Sequence, residues 1–328
     1  MEEKVQEGQP HPVEMNRLKY YPIMMFAIVM GISGLTIAYQ KAVEFIGFPE
    51  SVANAFMYIS LGLFALVTLV YLIKLAMYPK AVANEWKHPV RINFFSAISI
   101  SMLMLAIITT KDYPTLHKAF WYAGAIMHFY MTLYTITFWI NHNQEINHSN
   151  PAWFIPIVGN VLVPVGGVGL ANNTVLMYFF SVGTFFWVIL LAIILNRIIF
   201  HHQLAQKFMP TLFILIAPPA VAFIAYFKLT HQIDFFANFL YGLAVFFTFM
   251  VAFMANKFIG LKYFISWWAF IFPLAAMSIA AMIVYHKTHD IFSQYFSYVM
   301  IGFTTLMTII VLYQTVVHMF KKEICIQE

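Results

Sequence analysis

Residues Trp267–Ser278 read WWAFIFPLAAMS, inside an apolar run that carries no charged side chain between Lys262 and His286. An apolar run of more than about 18 residues can cross the roughly 30 Å hydrocarbon core of a bilayer as a helix. Pro273 stands in the middle of this one. An interior proline removes one backbone donor and pushes away the carbonyl four residues earlier. Lipid has no group to replace the lost partner, so such a site is tolerated only when buried in protein or facing a watery cavity. The stretch predicts a membrane helix bent at Pro273, with the carbonyl of Ala269 released toward a central pathway.

The rest of the chain reads the same way. Of 328 residues, 62% are hydrophobic, 18% aromatic and only 9% charged, whereas soluble domains carry roughly 25% charged residues. Ten apolar spans are expected: 20–39, 52–77, 92–109, 116–140, 153–171, 176–199, 210–227, 234–255, 264–285 and 291–318. Lys41, Lys111, Lys118, Lys228 and Lys287 then fall on one side, and the other thirteen of the 18 Lys and Arg residues, Lys4 among them, on the side of both termini. This asymmetry follows the positive-inside rule with both termini cytoplasmic. Residues 1–19 lack the basic and apolar regions of a signal peptide and are expected to form a cytoplasmic tail. The transmembrane domain is expected over 20–320, with a second cytoplasmic tail at 321–328. The basic residues are dispersed singly, which argues against a nucleic-acid-binding patch. The single cysteine, Cys325, excludes an intrachain disulfide and a cysteine-based metal cluster.

Proline divides the spans into two kinds. Pro156 and Pro164 lie in span five, Pro218 and Pro219 in span seven and Pro273 in span nine, with Pro22 at the mouth of span one. None lies inside an even-numbered span. The odd starts describe five helical hairpins of similar length, a weak internal repeat. The expectation is an inner ring of odd helices, bent at their prolines, and an outer ring of even ones. Pro218 is expected to free the carbonyl of Ile214.

Candidate chemistry is sparse. No Asp or Glu lies within a span except Asp234 at an edge, and His128 is the one plainly interior ionisable residue, with Lys74 and Arg91 at edges. Proton or sodium coupling ordinarily uses buried carboxylates or comparable relays. Haem ligation needs histidine pairs at matching depth, but His117, His201, His202, His286 and His318 sit at span ends. No metal site, cofactor or catalytic group is expected, and no nucleophile, base and orienting group can be assembled. An uncharged conduit would hold its passenger weakly through backbone dipoles and the hydroxyls of Ser33, Thr36, Ser96, Ser99 and Ser101, which favours throughput. Ala27 with Gly31, and Gly34 with Ala38, place small residues four apart for close helix packing.

Three segments carry a family resemblance. HPVRINFFSAISISMLML (88–105), MPTLFILIAPPAVAFIAYF (209–227) and WWAFIFPLAAMS (267–278) resemble, in order and spacing, the TehA and slow anion channel family, which also includes C4-dicarboxylate transporters. The resemblance implies an all-α membrane protein of ten helices, five hairpins in a quasi-fivefold ring with odd helices lining a central pore, assembled as a homotrimer in the inner (plasma) membrane. It implies passive, gated passage of small inorganic anions such as chloride and nitrate. Phe272, beside the kink, would be the gate, and Pro156, Pro164, Pro218 and Pro273 would shape the pore. Gly31, Ser33, Gly34, Ser96, Ser99 and Asn160 are the pore-lining candidates. Where the family has prolines in helices one and three, this sequence has Val29 and Ser99. Alternatives are a proton-coupled C4-dicarboxylate carrier and a tellurite-resistance membrane component.

Overall fold

A computed structural model describes residues 16–326. The remainder of the expected 1–19 and 321–328 tails, Lys4 included, lies outside the described residues. Among these the regular structure is helical, with one isolated bridge between Val168 and Ala171. Among the described residues, eight helices are long and apolar enough to cross a membrane: Ile23–Ile46, Glu50–Met77, Arg91–Thr109, Asn173–Phe200, Gln206–Thr230, Phe235–Phe253, Ile265–Thr288 and Ile291–Phe320. Between the third and fourth lie a less apolar helix, Pro114–Asn141, and a shorter apolar run, Pro151–Gly167. The chain is a multi-pass membrane protein.

Their α-helical parts are α1 (Phe26–Ile46), α2 (Glu50–Met77), α3 (Pro79–Lys87), α4 (Ser96–Thr109), α5 (Pro114–Asn141), α6 (Ile155–Val158), α7 (Leu162–Gly167), α8 (Asn173–Phe200), α9 (Ala217–Thr230), α10 (Phe235–Phe253), α11 (Ile271–Thr288) and α12 (Ile291–Phe320). Burial alternates along the chain. The segments containing α1, α4, α9 and α11 are each 83% buried over their most apolar window, and α2, α8, α10 and α12 only 28–39%. Mean hydropathy is nearly equal in the two sets, 1.7–2.1 against 1.8–2.3, so position rather than composition decides which helices are covered. The buried elements touch in sequence: α1 packs on α4, α4 on α7, α7 on α9, α9 on α11, and α11 back on α1. Each outer helix packs against the inner one before it. The connections are short: Gly47, His231 and His289 end α1, α9 and α11 in the left-handed region. Asn172, Asp234 and Asp290 then accept from backbone N–H groups to cap α8, α10 and α12, as short polar side chains do at N-caps. The Tyr226 hydroxyl and the Ala237 N–H, both donating to Asp234, hold that carboxyl below the usual range.

The prolines do not stand where an uninterrupted helix would put them. Each buried segment opens as a 3-10 helix, at Ile23–Met25, Arg91–Phe95, Pro151–Phe154, Gln206–Ile216 and Ile265–Phe270, and only then becomes α-helical. Pro218 is the second residue of α9, Pro273 the third of α11, Pro156 the second of α6 and Pro164 the third of α7. The first turn of an α-helix needs no N–H donors of its own, so proline there breaks no bond. The expected release of the Ile214 carbonyl is accordingly corrected: it accepts from the N–H of Ala217. Ile271 donates to Trp268 in the same tighter register. Span five, expected as one helix over 153–171, is broken into α6, a 3-10 turn at Gly159–Val161, and α7.

Lys74 stands in the last turn of α2, at the span edge as expected, and its side chain is 1% exposed. Its Nζ lies 2.7 Å from the Glu85 carboxylate and donates to the Tyr21 carbonyl at 2.7 Å. Glu85 also accepts from Tyr71 at 2.9 Å and from the Ile23 N–H at 3.3 Å. The short helix α3, absent from the sequence reading because it has no apolar run, exists to bring Glu85 to this position and so ties α2 to the start of the first buried segment. Replacing one member strands a buried charge, so Glu85→Leu is expected to cost about 3–5 kcal/mol, seen as a lower thermal midpoint in detergent. Lys74→Met combined with Glu85→Leu should recover most of that loss; a double variant as unstable as the single one would refute the pairing.

Candidate functional site

The buried segments enclose a narrow cavity of about 60 Å³. Met24 and Met30, Ile100, Val158 and Gly159, Pro218, and Phe272 with Pro273 contribute to its walls, one group from each segment in turn. Among the described residues no ionisable side chain lines it, and Thr211 and Ser266 supply its hydroxyls. Wider vestibules flank it on both sides. One, of about 710 Å³, is reached past Leu162, Val221 and Phe272, which line both spaces. The other, about 920 Å³, shares Met24 and Ile265 with the narrow cavity. Its walls carry Lys19, Lys74, Lys80, Arg91, Lys207 and Lys262 against Glu85 and Glu323.

Phe272 is half-buried and stands at the junction of the narrow cavity with the 710 Å³ vestibule. It is the second residue of α11, immediately before Pro273. Its ring is backed by α1: a Cβ on Gly34 would lie 3.3 Å from the Phe272 Cδ2 and 3.3 Å from the Ala275 Cβ. Gly34 also lines the vestibule. Gly31, one turn earlier, serves packing, since a Cβ there would approach Trp268 to 2.8 Å.

The other candidates separate into two groups. Pro218 and Pro273 face the narrow cavity with Phe272. Pro156, Pro164, Ser33, Ser96, Ser99 and Asn160 are buried but line neither it nor the vestibules. Ser99 Oγ donates to the Ser96 carbonyl at 2.9 Å and lies 2.9 Å from His128 Nδ1 on α5. Asn160 donates to Thr132 at 2.8 Å and to the Ile157 carbonyl at 2.9 Å, and Thr132 donates to the Pro156 carbonyl at 2.8 Å. Thr36 donates to the Ile32 carbonyl at 2.8 Å and sits 2.9 Å from Ser60 of α2. Hydroxyls inside helices commonly bond back to the preceding turn, and here they face inner–outer helix contacts. Leu162, Val221 and Thr211 carried no signal in the sequence that set them apart from other apolar or hydroxyl residues.

A profile of the family described as "SLAC1: Voltage-dependent anion channel" matches residues 20–316. The chain belongs to that family. The S-type anion channel SLAH3 of Arabidopsis thaliana is 28% identical over 308 residues, covering 92% of this chain and 48% of its own length. The S-type anion channel SLAH2 of the same plant is 29% identical and covered over 59% of its length. The chain thus spans about half the length of these plant relatives. The uncharacterized transporter MJ0762 of Methanocaldococcus jannaschii is 29% identical, with 82% of this chain and 86% of the relative aligned. The malic acid transport protein of Schizosaccharomyces pombe is 25% identical over 309 residues, with 80% and 70% aligned. The family membership read from the three segments is borne out across the membrane region.

Gly159, in the wall of the narrow cavity, abuts His128. A Cβ there would stand 2.2 Å from the imidazole Cε1 and 2.5 Å from Nε2. Gly159→Ala is expected to destabilise by about 1–3 kcal/mol through overpacking, measured as a lower thermal midpoint. His128→Ala in the same chain should return part of it; equal midpoints for Gly159→Ala and the parent would show that the contact is not tight.

Proposed function

We propose that this protein is a passive, gated channel for small monovalent anions such as chloride and nitrate, with Phe272 as its gate. The observation that supports this reading is that Phe272, Leu162 and Val221 line both the narrow cavity, whose lining among the described residues has no ionisable group, and the wide vestibule beside it. A constriction of this kind blocks ions by dewetting, and the absence of fixed charge inside leaves a passing ion weakly held. The family and the plant relatives named as anion channels support the sign of the passenger, as does the excess of cations in the 920 Å³ vestibule.

In this reading ten helices cross the bilayer as five hairpins, and the inner ones form a quasi-fivefold ring around the pore. The cycle of contacts from α1 through α4, α7, α9 and α11 back to α1 supports it. So does the 28-residue length of α5, ample for about 30 Å of hydrocarbon. The basic vestibule faces the cytoplasm, both termini lie there, and the protein sits in the inner (plasma) membrane as a homotrimer with one pore per subunit. Pro218 and Pro273 shape the wall directly. Pro156 and Pro164 act through the broken course of the third inner segment, and Gly34 makes room for the gate. The second reading, a proton-coupled dicarboxylate carrier, draws on the relative named as a malic acid transport protein; pH-driven dicarboxylate accumulation without conductance would favour it.

Removing the ring of Phe272 opens the partition. Phe272→Ala reconstituted in planar bilayers is expected to carry chloride current at least about tenfold above the parent, because loss of an apolar plug lowers a dewetting barrier. Currents no larger than those of the parent would overturn the gate.

A further inference from the structure

The 710 Å³ vestibule holds a cation that the protein leaves uncompensated. Lys228, in the last turn of α9, lines it half-buried. Among the described residues it makes no hydrogen bond or ion pair. The charges that face it are the ammonium of Lys41 and the carboxylate of Glu44, both on α1. Glu44 is already engaged by Lys41. A third ammonium, Lys287 on α11, lines the same space and rests over the Phe227 ring at 5.7 Å. The charged side chains lining the vestibule, Lys41, Lys111, Lys228 and Lys287 against Glu44, Glu50 and Asp112, leave an excess of one positive charge. Of these, Lys111 pairs with Glu50 at 2.7 Å and Asp112 lies beside Lys111, so the negative charges of that group are engaged by Lys111. His231 and His286 complete the lining, the latter stacked on Phe45 at 4.4 Å.

Like charges gathered in a concave, low-dielectric wall raise the potential there and concentrate counter-ions. A half-buried ammonium with no partner is stabilised when an anion occupies the space beside it. We propose that Lys228, flanked by Lys41 and Lys287, forms a binding site for a small inorganic anion at the mouth of the pathway, on the side of Phe272 opposite the basic vestibule. The site rests on the channel reading. It sets how readily anions enter from that side, whereas Phe272 sets whether they cross. Three inner helices, α1, α9 and α11, each contribute one lysine, so the site forms only when they are assembled.

The test uses Phe272→Ala protein in planar bilayers, with chloride varied only on the vestibule side. Lys228→Gln is expected to raise the half-saturating chloride concentration roughly three- to tenfold, the scale on which a fixed charge in a low-dielectric wall enriches counter-ions. Lys228→Arg should keep it near the Phe272→Ala value, and Lys118→Gln, which removes an exposed cation outside the vestibule lining, should not move it. An independent arm soaks crystals of the unmodified protein in bromide: anomalous density beside Lys228 Nζ, lost in Lys228→Gln, supports the site. An unchanged half-saturating concentration in Lys228→Gln, or no bromide at Lys228, overturns it. Should Phe272→Ala pass no anion, the bromide arm still decides the site, and only the conduction reading fails.

Discussion

The structure is governed by one constraint of the bilayer: a backbone group that loses its helical partner finds no substitute in lipid. The buried segments meet it by beginning as 3-10 helix and changing to α-helix, in three of the five at a proline. Placed in the opening turn of the α part, Pro156, Pro164, Pro218 and Pro273 cost no hydrogen bond that the helix would otherwise make. The change of helix type re-aims the chain without orphaning carbonyls, as the bond from Ala217 to Ile214 illustrates. The segments around α1 and α4 make the same change at Phe26 and Ser96 with no proline in the first α-helical turn. The transition therefore belongs to the packing of the inner layer, and proline accommodates it rather than causes it.

Charge is distributed around that layer by the same logic. Lys74 and Glu85 are buried as a pair with further hydrogen bonds to Tyr21 and Tyr71, which is the condition under which ions are tolerated away from water. Other cations line the two vestibules, and among the described residues no ionisable side chain lines the narrow cavity between them. In the proposed channel this arrangement gathers anions at the ends and binds them weakly in the middle, so that an apolar ring at Phe272 suffices to stop the flow.

Much of this was legible before any coordinates. Prolines confined to alternate apolar spans mark the inner segments, and the family resemblance points to Phe272 beside Pro273. The hydroxyls were not legible in the same way. Ser99 and Thr36 occupy inner helices, yet which way each points depends on the rotation of its helix about its axis, and both face an outer helix. Helix α3 was missed because it is too short and too polar to register as a span, although its Glu85 anchors the first buried segment.

By itself the sequence determined that the chain crosses the membrane repeatedly, which spans carry proline, and that no acidic group lies deep within them, because these depend on residue type and local order alone. Only the tertiary structure decided which equally apolar helices are covered, that Phe272, Leu162 and Val221 line both the narrow cavity and its neighbouring vestibule, and that Lys41, Lys228 and Lys287 line the same space. Residues 41, 228 and 287 are remote along the chain, and only the closure of α9 and α11 on α1 brings their like charges around one vestibule.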